Sequence, residues 1–507
     1  MRVSHWISSG LLALAVLCVA APLAGAADSV YWSNYEGDTI SRAAIGGGGG
    51  SDVPISGTTV EGPFGVAIDP AEGKLYWTNW DGDSIGVANL DGSGGHLLNT
   101  EGTTVNGPSG LAIDPATRRI YWGNSEINTI SYANLNGTGG GNLNTTGATV
   151  MTPYGIGFDP ATQRVFWPNY EGDSISYANV DGSGGGDLDT TGAEVDNPAG
   201  IAIYAARNLL YWDNAGGDSI AAASLEGGDG RALDPGGAAV EEPEGLAIDP
   251  TANRVYWANV ESGTIAFAGL DGGTSGAVDT TGANTEYVSF PVLLKTPVNT
   301  TAPAITEAPK AGARPAKPKK GAPPFVESQA QTFNCSQGTW APDLYESYVY
   351  RAPQSFSYQW LRNGLPIAGA AASSYAATEV GGYACRVTAA NGAGPTAEET
   401  SALDIRGSFA LGKPGLNKKK GTAKLPVATS GSGVVVLSGK GLKSGKLKSK
   451  AGGTAPLSGS IVVKATGKTL KKLKANGRAK VKAKLAFTPT NGSPIRATKS
   501  IGLRLKH

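Results

Sequence analysis

One tryptophan, returning at a fixed interval, constrains this chain more than any other feature. Trp32, Trp77, Trp122, Trp167, Trp212 and Trp257 stand forty-five residues apart, and each follows a Tyr or a Phe. A second marker keeps the same spacing: Pro63, Pro108, Pro153, Pro198 and Pro243 each open a Pro-x-Gly run leading into apolar residues. A constant period of this length is the signature of a repeat architecture, in which one supersecondary unit buries its apolar faces only against its neighbours. Short apolar runs separated by Gly-rich turns point to propeller blades rather than to helical repeats.

Each unit reads as four strands. In the second copy they fall at 65–69, 75–79 and 84–90, with a weak outer strand near 96–99. Tyr76 and Trp77 are adjacent on one strand and point to opposite faces of its sheet. A blade is covered on both faces, so both rings are expected inside, each burying roughly 150–250 Å². The first copy lacks an inner strand, because the chain reaches Ser29-Val30-Tyr31-Trp32 with no Pro-x-Gly run before it. One period after Pro243 comes the apolar run Val288–Leu294, which supplies the missing strand and closes the ring. Closure removes free sheet edges. The fold class is therefore all-β, beginning with a six-bladed β-propeller.

Tyr76-Trp77-Thr78-Asn79, then Ile85 and Ala88-Asn89-Leu90-Asp91-Gly92, resemble the YWTD repeat, also called the low-density-lipoprotein-receptor class B repeat. The resemblance spans residues 29–297. One departure is systematic: the fourth motif position holds Asn34, Asn79, Asn124, Asn169, Asn214 and Asn259, never Asp. Asn both accepts and donates inside a packed blade, so the fold is kept. The resemblance implies a module that binds protein partners, although a propeller fold alone assigns no function.

Residues 1–26 read as a secretory signal: Arg2 and His5 precede an apolar stretch at 10–21, and Ala24-Gly25-Ala26 fits a small-residue cleavage site. No later apolar run is long enough to span a membrane, so no transmembrane segment is expected after cleavage. Localisation is accordingly extracellular, with association to the cell wall. Total charge is balanced at 42 basic and 42 acidic residues, but the charges are segregated. Residues 28–297 hold 34 acidic and 9 basic side chains; residues 408–507 hold 23 basic ones and no carboxylate. Such asymmetry speaks of partners rather than of fold.

Along a propeller path the turns between second and third strands share one face with the inter-blade loops. Those turns carry Glu36, Asp38, Asp81, Asp83, Glu126, Glu171, Asp173, Asp218 and Glu261. Two readings stand side by side: Asp and Gly as ordinary turn formers, or an acidic rim for a cationic partner or divalent cations. The twelve-residue calcium-loop pattern is missing, so no metal site is assigned. Asp69, Asp114, Asp159 and Asp249 end their inner strands, with Tyr204 breaking the series, and read as caps. Catalysis finds little support. After the signal only His96 and His507 remain, and no nucleophile elbow, phosphate loop or zinc spacing occurs. An enzyme should break the similarity of the copies with odd polar residues converging on the tunnel, whereas the copies read as uniform. No catalytic residue and no cofactor is expected.

Beyond the repeats, 298–326 is rich in Pro, Ala and Lys and reads as a semi-rigid linker. Over 327–406, Cys335 and Cys385 flank Trp360, and Tyr383 stands two residues before the second Cys. That order resembles a bacterial immunoglobulin-like domain and implies a disulfide across two sheets. Residues 407–507 alternate apolar side chains with Lys, as in Lys480-Val481-Lys482-Ala483-Lys484-Leu485, and read as a small basic β-sandwich. The turns expected there are Asn476-Gly477 and Asn491-Gly492-Ser493. The function this predicts is a secreted, non-enzymatic binding or adhesion protein. Its propeller face (27–297) meets a protein or polysaccharide, and its basic domain holds an anionic cell-envelope polymer. Nucleic acid is not an expected partner, since aromatics are nearly absent from the basic part. The alternatives are an extracellular propeller hydrolase or lyase working through tunnel carboxylates and a metal, and a spacer with no ligand.

Overall fold

The structure is a computed structural model that describes residues 27–307, 331–405, 407–449, 456–490 and 494–506. The signal reading of 1–26, most of the linker, His507 and the turn at 491–493 lie outside the described residues. The chain divides into two compact units. The first comprises Met1–Thr296 with Pro342–Arg351 and Asn391–Pro395; the second is the remainder.

In the first unit every tryptophan repeat forms one antiparallel sheet of four strands. The second repeat is representative: Pro63–Asp69, Lys74–Asn79, Ser84–Asn89 and the two-residue His96–Leu97, in sequence order. The Pro-x-Gly run makes a bulge, seen as a register shift between Pro63 and Val66 and repeated at Pro108, Pro198 and Pro243. The Tyr-Trp pair works as its alternation requires. Trp77 packs with Val66, Ile68 and Leu75 on one face of its sheet, while Tyr76 packs on the other face with Ile113, Ile120 and Trp122 of the following repeat. Each tryptophan thus seals the layer before its sheet, and each tyrosine the layer after it.

The inner strands stand side by side around a common axis, and Val288–Leu294 lies between Pro243–Asp249 and Pro63–Asp69. It pairs antiparallel with Ser29–Asn34, from Ser29↔Leu294 to Asn34↔Val288, so the last strand completes the first sheet and the ring closes. Glycine sets how closely these strands approach. A Cβ on Gly65 would lie 2.6 Å from the Ser109 carbonyl oxygen, and one on Gly200 would lie 2.3 Å from Gly245 Cα. A side chain on either glycine would push neighbouring strands apart. In the closing strand this place is taken by Phe290, held in the left-handed region at φ 44°.

The motif Asn explains itself. Asn79 is fully buried; its Oδ1 accepts from Trp77 Nε1 at 2.9 Å and from Glu61 N at 3.0 Å, and its Nδ2 donates to Ser84 Oγ at 3.0 Å. Both halves of the amide are used, as the dual character of Asn allows. Asn124, Asn214 and Asn259 repeat the pattern with Trp122, Trp212 and Trp257. The aspartates that end the inner strands cap the following turn: Asp69 accepts from Ala71 N, and Asp114 from Ala116 N.

One element of the first unit has no counterpart in the repeats. Residues Pro342–Arg351 carry a single 3₁₀ turn, Tyr345–Ser347, and a strand, Val349–Tyr350, which runs parallel to Val288–Leu294 and widens the first sheet to five strands.

In the second unit, Gln331–Cys335 pairs with Ser374–Ala377, and Ser355–Arg362 pairs with Gly381–Asn391. A disulfide joins Cys335 of one sheet to Cys385 of the other, with a Cα–Cα distance of 6.3 Å. Trp360 is fully buried and stacks with Phe333, while the Tyr383 hydroxyl donates to the Glu379 carbonyl at 2.9 Å. The stretch read as linker begins as structure: Asn299–Thr301 pairs with Thr339–Trp340, and Ile305–Glu307 with Gln331–Cys335. Polar Asn-Thr-Thr and Ile-Thr-Glu segments satisfy their backbone groups on a sheet edge despite Pro303 between them. In the basic part, Arg478–Pro489 alternates exposed cationic with buried apolar residues, as read. Asn476-Gly477, however, is no hairpin turn. A helix, Gly467–Asn476, buries Leu473 and ends on Gly477 at φ 64°, the left-handed glycine that terminates helices.

Candidate functional site

The face that gathers the second turns and the inter-repeat loops carries all nine acids of the expected rim, each of them exposed. They divide into two kinds. Asp38, Asp83, Asp173 and Asp218 adopt positive φ of 44–48°. Each accepts a backbone N–H from the next inter-repeat loop: Gly62 on Asp38 at 2.8 Å, Gly107 on Asp83 at 2.8 Å, Asn197 on Asp173 at 2.9 Å and Glu242 on Asp218 at 2.7 Å. Asn128 does the same for Thr152 N, so the task needs an acceptor that tolerates the left-handed region, not a charge. These four aspartates hold neighbouring sheets together. Glu36, Asp81, Glu126, Glu171 and Glu261 take no such role; Asp81 accepts from the Tyr35 hydroxyl at 3.1 Å.

Inside the rim, aromatic side chains meet over the axis. The ring of Phe64 lies 5.3 Å from Tyr154, 5.2 Å from Phe290 and 5.2 Å from Trp80, and Tyr154 stacks on Tyr170 at 4.4 Å. The residue between Pro and Gly accounts for this. Around the axis it is Phe64, Ser109, Tyr154, Ala199, Glu244 and, in the closing strand, Ser289: large and small in alternation. A narrow axis has no room for six large side chains, and alternation fills it with three. Ser109 Oγ, in a small position, donates to the Pro153 carbonyl at 2.6 Å.

Two carboxyls break the similarity of the repeats at this level. Glu244 occupies one of the three large positions, is 2 % exposed, and accepts from the Tyr287 hydroxyl at 3.2 Å through Oε1; Oε2 has no hydrogen-bond partner among the described residues. Desolvation first, then the charge of Asp213, raises its pKa to about 8. Asp213 is fully buried and accepts from Gly200 N at 2.5 Å and Gly245 N at 2.7 Å. Desolvation outweighs those N–H bonds and raises its pKa to about 7. Neither belongs to the expected site, and the uniformity read in the copies fails here. The signal was present: Asp213 stands where the other repeats have Ser33, Thr78, Gly123, Pro168 and Ala258. Among the described residues no three His, Cys, Asp or Glu side chains come together as a metal site would require, and His96 lies exposed.

Residues 73–115, one repeat and the start of the next, match the family described as low-density lipoprotein receptor repeat class B. The ring of four-stranded sheets is a β-propeller of YWTD-like repeats. Among solved structures, a chain of the "Crystal structure of Nidogen/Laminin Complex" aligns with 18 % identity and a TM-score of 0.43, over 52 % of this chain and 98 % of that one. No curated protein matches the chain. The described residues of the propeller and of the second unit contain no helix long and apolar enough to cross a membrane.

Proposed function

We propose that this protein is an extracellular, non-enzymatic binding protein, whose six-bladed propeller presents its acidic, aromatic-centred face to a protein or polysaccharide. The observation that carries this is the division of the rim. Four aspartates are consumed in joining blades, while Glu36, Asp81, Glu126, Glu171 and Glu261 stand exposed around a lid of interlocking rings. A cationic, ring-bearing surface on the partner complements that face. The single disulfide suits an oxidising compartment. After the propeller in the chain come an immunoglobulin-like domain, supported by its disulfide and the Trp360 and Tyr383 packing, and a Lys-rich domain whose exposed strand faces suit an anionic envelope polymer.

The test compares full-length protein with a variant in which Glu36, Asp81, Glu126 and Glu171 are all Gln, each used for affinity capture from the extracellular fraction. A partner held by wild type and lost by an equally stable variant supports the reading. Identical capture by both overturns it. The second reading, an enzyme, has Asp213 and Glu244 in its favour. Both are buried, and Asp213 is occupied by backbone donors, which speaks against either meeting a substrate.

A further inference from the structure

The segment Pro342–Arg351 returns to the propeller after the chain has left it at Thr296. Glu346, Ser347, Tyr348, Val349, Tyr350 and Arg351 are all buried, Val349 completely. Its backbone adds to the closing strand as a partner strand: Leu293 N donates to the Tyr348 carbonyl at 2.8 Å and Lys295 N to the Tyr350 carbonyl at 2.7 Å. Its hydroxyls reach the backbone of three different blades, two of them at carbonyl oxygens. Ser347 Oγ donates to Ile203 O, the Tyr348 hydroxyl to Ile156 O, and the Tyr350 hydroxyl pairs with the backbone of Ile68. Arg351 reaches Thr251 Oγ1 on the turn after a fourth inner strand.

Two things follow from that geometry. Inner strands facing an axis leave backbone groups with no partner in their own sheet, and a buried orphan of this kind destabilises the fold. The propeller therefore needs an occupant at the end of the tunnel where its inner strands finish. The contacts made by that occupant are also those of peptide recognition: strand addition to a sheet edge for affinity, and side chains in fixed pockets for specificity. Nothing in the forty-five-residue repeat encodes the segment, and the hydrogen-bond partners Ile203, Ile156, Ile68 and Thr251 all belong to the propeller.

We propose that this mouth of the propeller is a peptide-binding socket for a Ser-Tyr-Val-Tyr-Arg sequence that turns at Tyr348 and runs extended over Val349–Tyr350, filled in this chain by its own residues 347–351. The face used is the one opposite the acidic rim, so the socket is separate from the surface proposed above.

The test uses full-length protein in which residues 344–350 are replaced by a Gly/Ser stretch of equal length, and a fluorescent peptide of sequence 342–351. Anisotropy titration should show saturable binding to the emptied variant, at least tenfold tighter than to wild type, whose socket is occupied. A scrambled peptide should not bind. A peptide carrying Phe for both Tyr348 and Tyr350 should bind about tenfold more weakly, since each lost hydrogen bond is worth about 0.5–1.5 kcal/mol. Absence of saturable binding to a folded variant, equal binding by wild type, or equal binding of the scrambled peptide overturns the proposal. If the emptied variant does not fold, the full-length double variant Tyr348→Phe, Tyr350→Phe decides. Amide exchange over 342–351 and Val288–Leu294 should then quicken while other inner strands keep their protection. Unchanged exchange in both segments refutes the socket.

Discussion

Replacing Glu244 by Gln should flatten the dependence of propeller stability on pH. The folded protein raises the Glu244 pKa from 4.5 to about 8 and that of Asp213 from 3.8 to about 7. A raised folded value means that the native state holds a proton the unfolded chain releases. The associated stability is fully present below the unfolded pKa and is lost as pH climbs through the folded one. Each retained proton changes stability by about 1.4 kcal/mol per pH unit inside its window. Between pH 5 and pH 8 Glu244 alone therefore removes about 4 kcal/mol, and Asp213 removes about 3 kcal/mol more by pH 7. Gln preserves the acceptor that Tyr287 uses and has no charge to gain, so E244Q should lose about 4 kcal/mol less than wild type over the same range. Urea unfolding at pH 5, 6, 7 and 8, followed by fluorescence of the blade tryptophans, measures both curves. Superimposable pH profiles would show that Glu244 is charged in the native state, and the burial argument would fail.

Asp83→Ala should cost about 2 kcal/mol through the lost N–H acceptor and the left-handed backbone, whereas Asp83→Asn should cost almost nothing, as Asn128 does the same task; thermal midpoints of the two variants decide. Deleting residues 287–296 removes Val288, Val292, Leu293 and Leu294 from the core, at about 1.5–3 kcal/mol each, and should abolish the cooperative transition of the propeller in calorimetry. Reduction of Cys335–Cys385 should destabilise the second unit by about 3–4 kcal/mol and leave the propeller transition in place, because no cysteine occurs among its described residues; calorimetry with and without reductant reads both.

The repeating parts of this molecule were legible because each repeat states its own rule. Tyr-Trp adjacency gives opposite faces, the Pro-x-Gly run marks the start of each apolar inner stretch, and the unpaired first repeat calls for Val288–Leu294. What escaped is whatever depends on difference or on distance. The alternation of Phe64, Ser109, Tyr154, Ala199, Glu244 and Ser289 is visible only once the six positions are known to face one another. The rim aspartates left two readings open because an Asx acceptor and a binding carboxylate use the same residue; the φ of Asp83 and its bond to Gly107 N separate the two. Residues 342–351 have no periodicity, and their burial comes from strands far away in sequence. The Lys-rich helix was hidden by Asn476-Gly477, a dipeptide that ends helices as readily as it turns hairpins.

The pairing of Ser29–Asn34 with Val288–Leu294 sets an order of events during synthesis. The first strands to leave the ribosome are among the last to be satisfied, since more than two hundred and fifty residues separate Ser33 from the Ser289 it bonds. At roughly 5–20 residues per second the opening sheet waits more than ten seconds with an unpaired apolar edge. Its neighbours in the chain can form meanwhile, so the nascent protein passes through an open arc with two sticky ends. Two such arcs on neighbouring chains carry matching ends, and the concentration of unfinished chains, more than the stability of the finished one, then governs how much of the product is recovered as monomer.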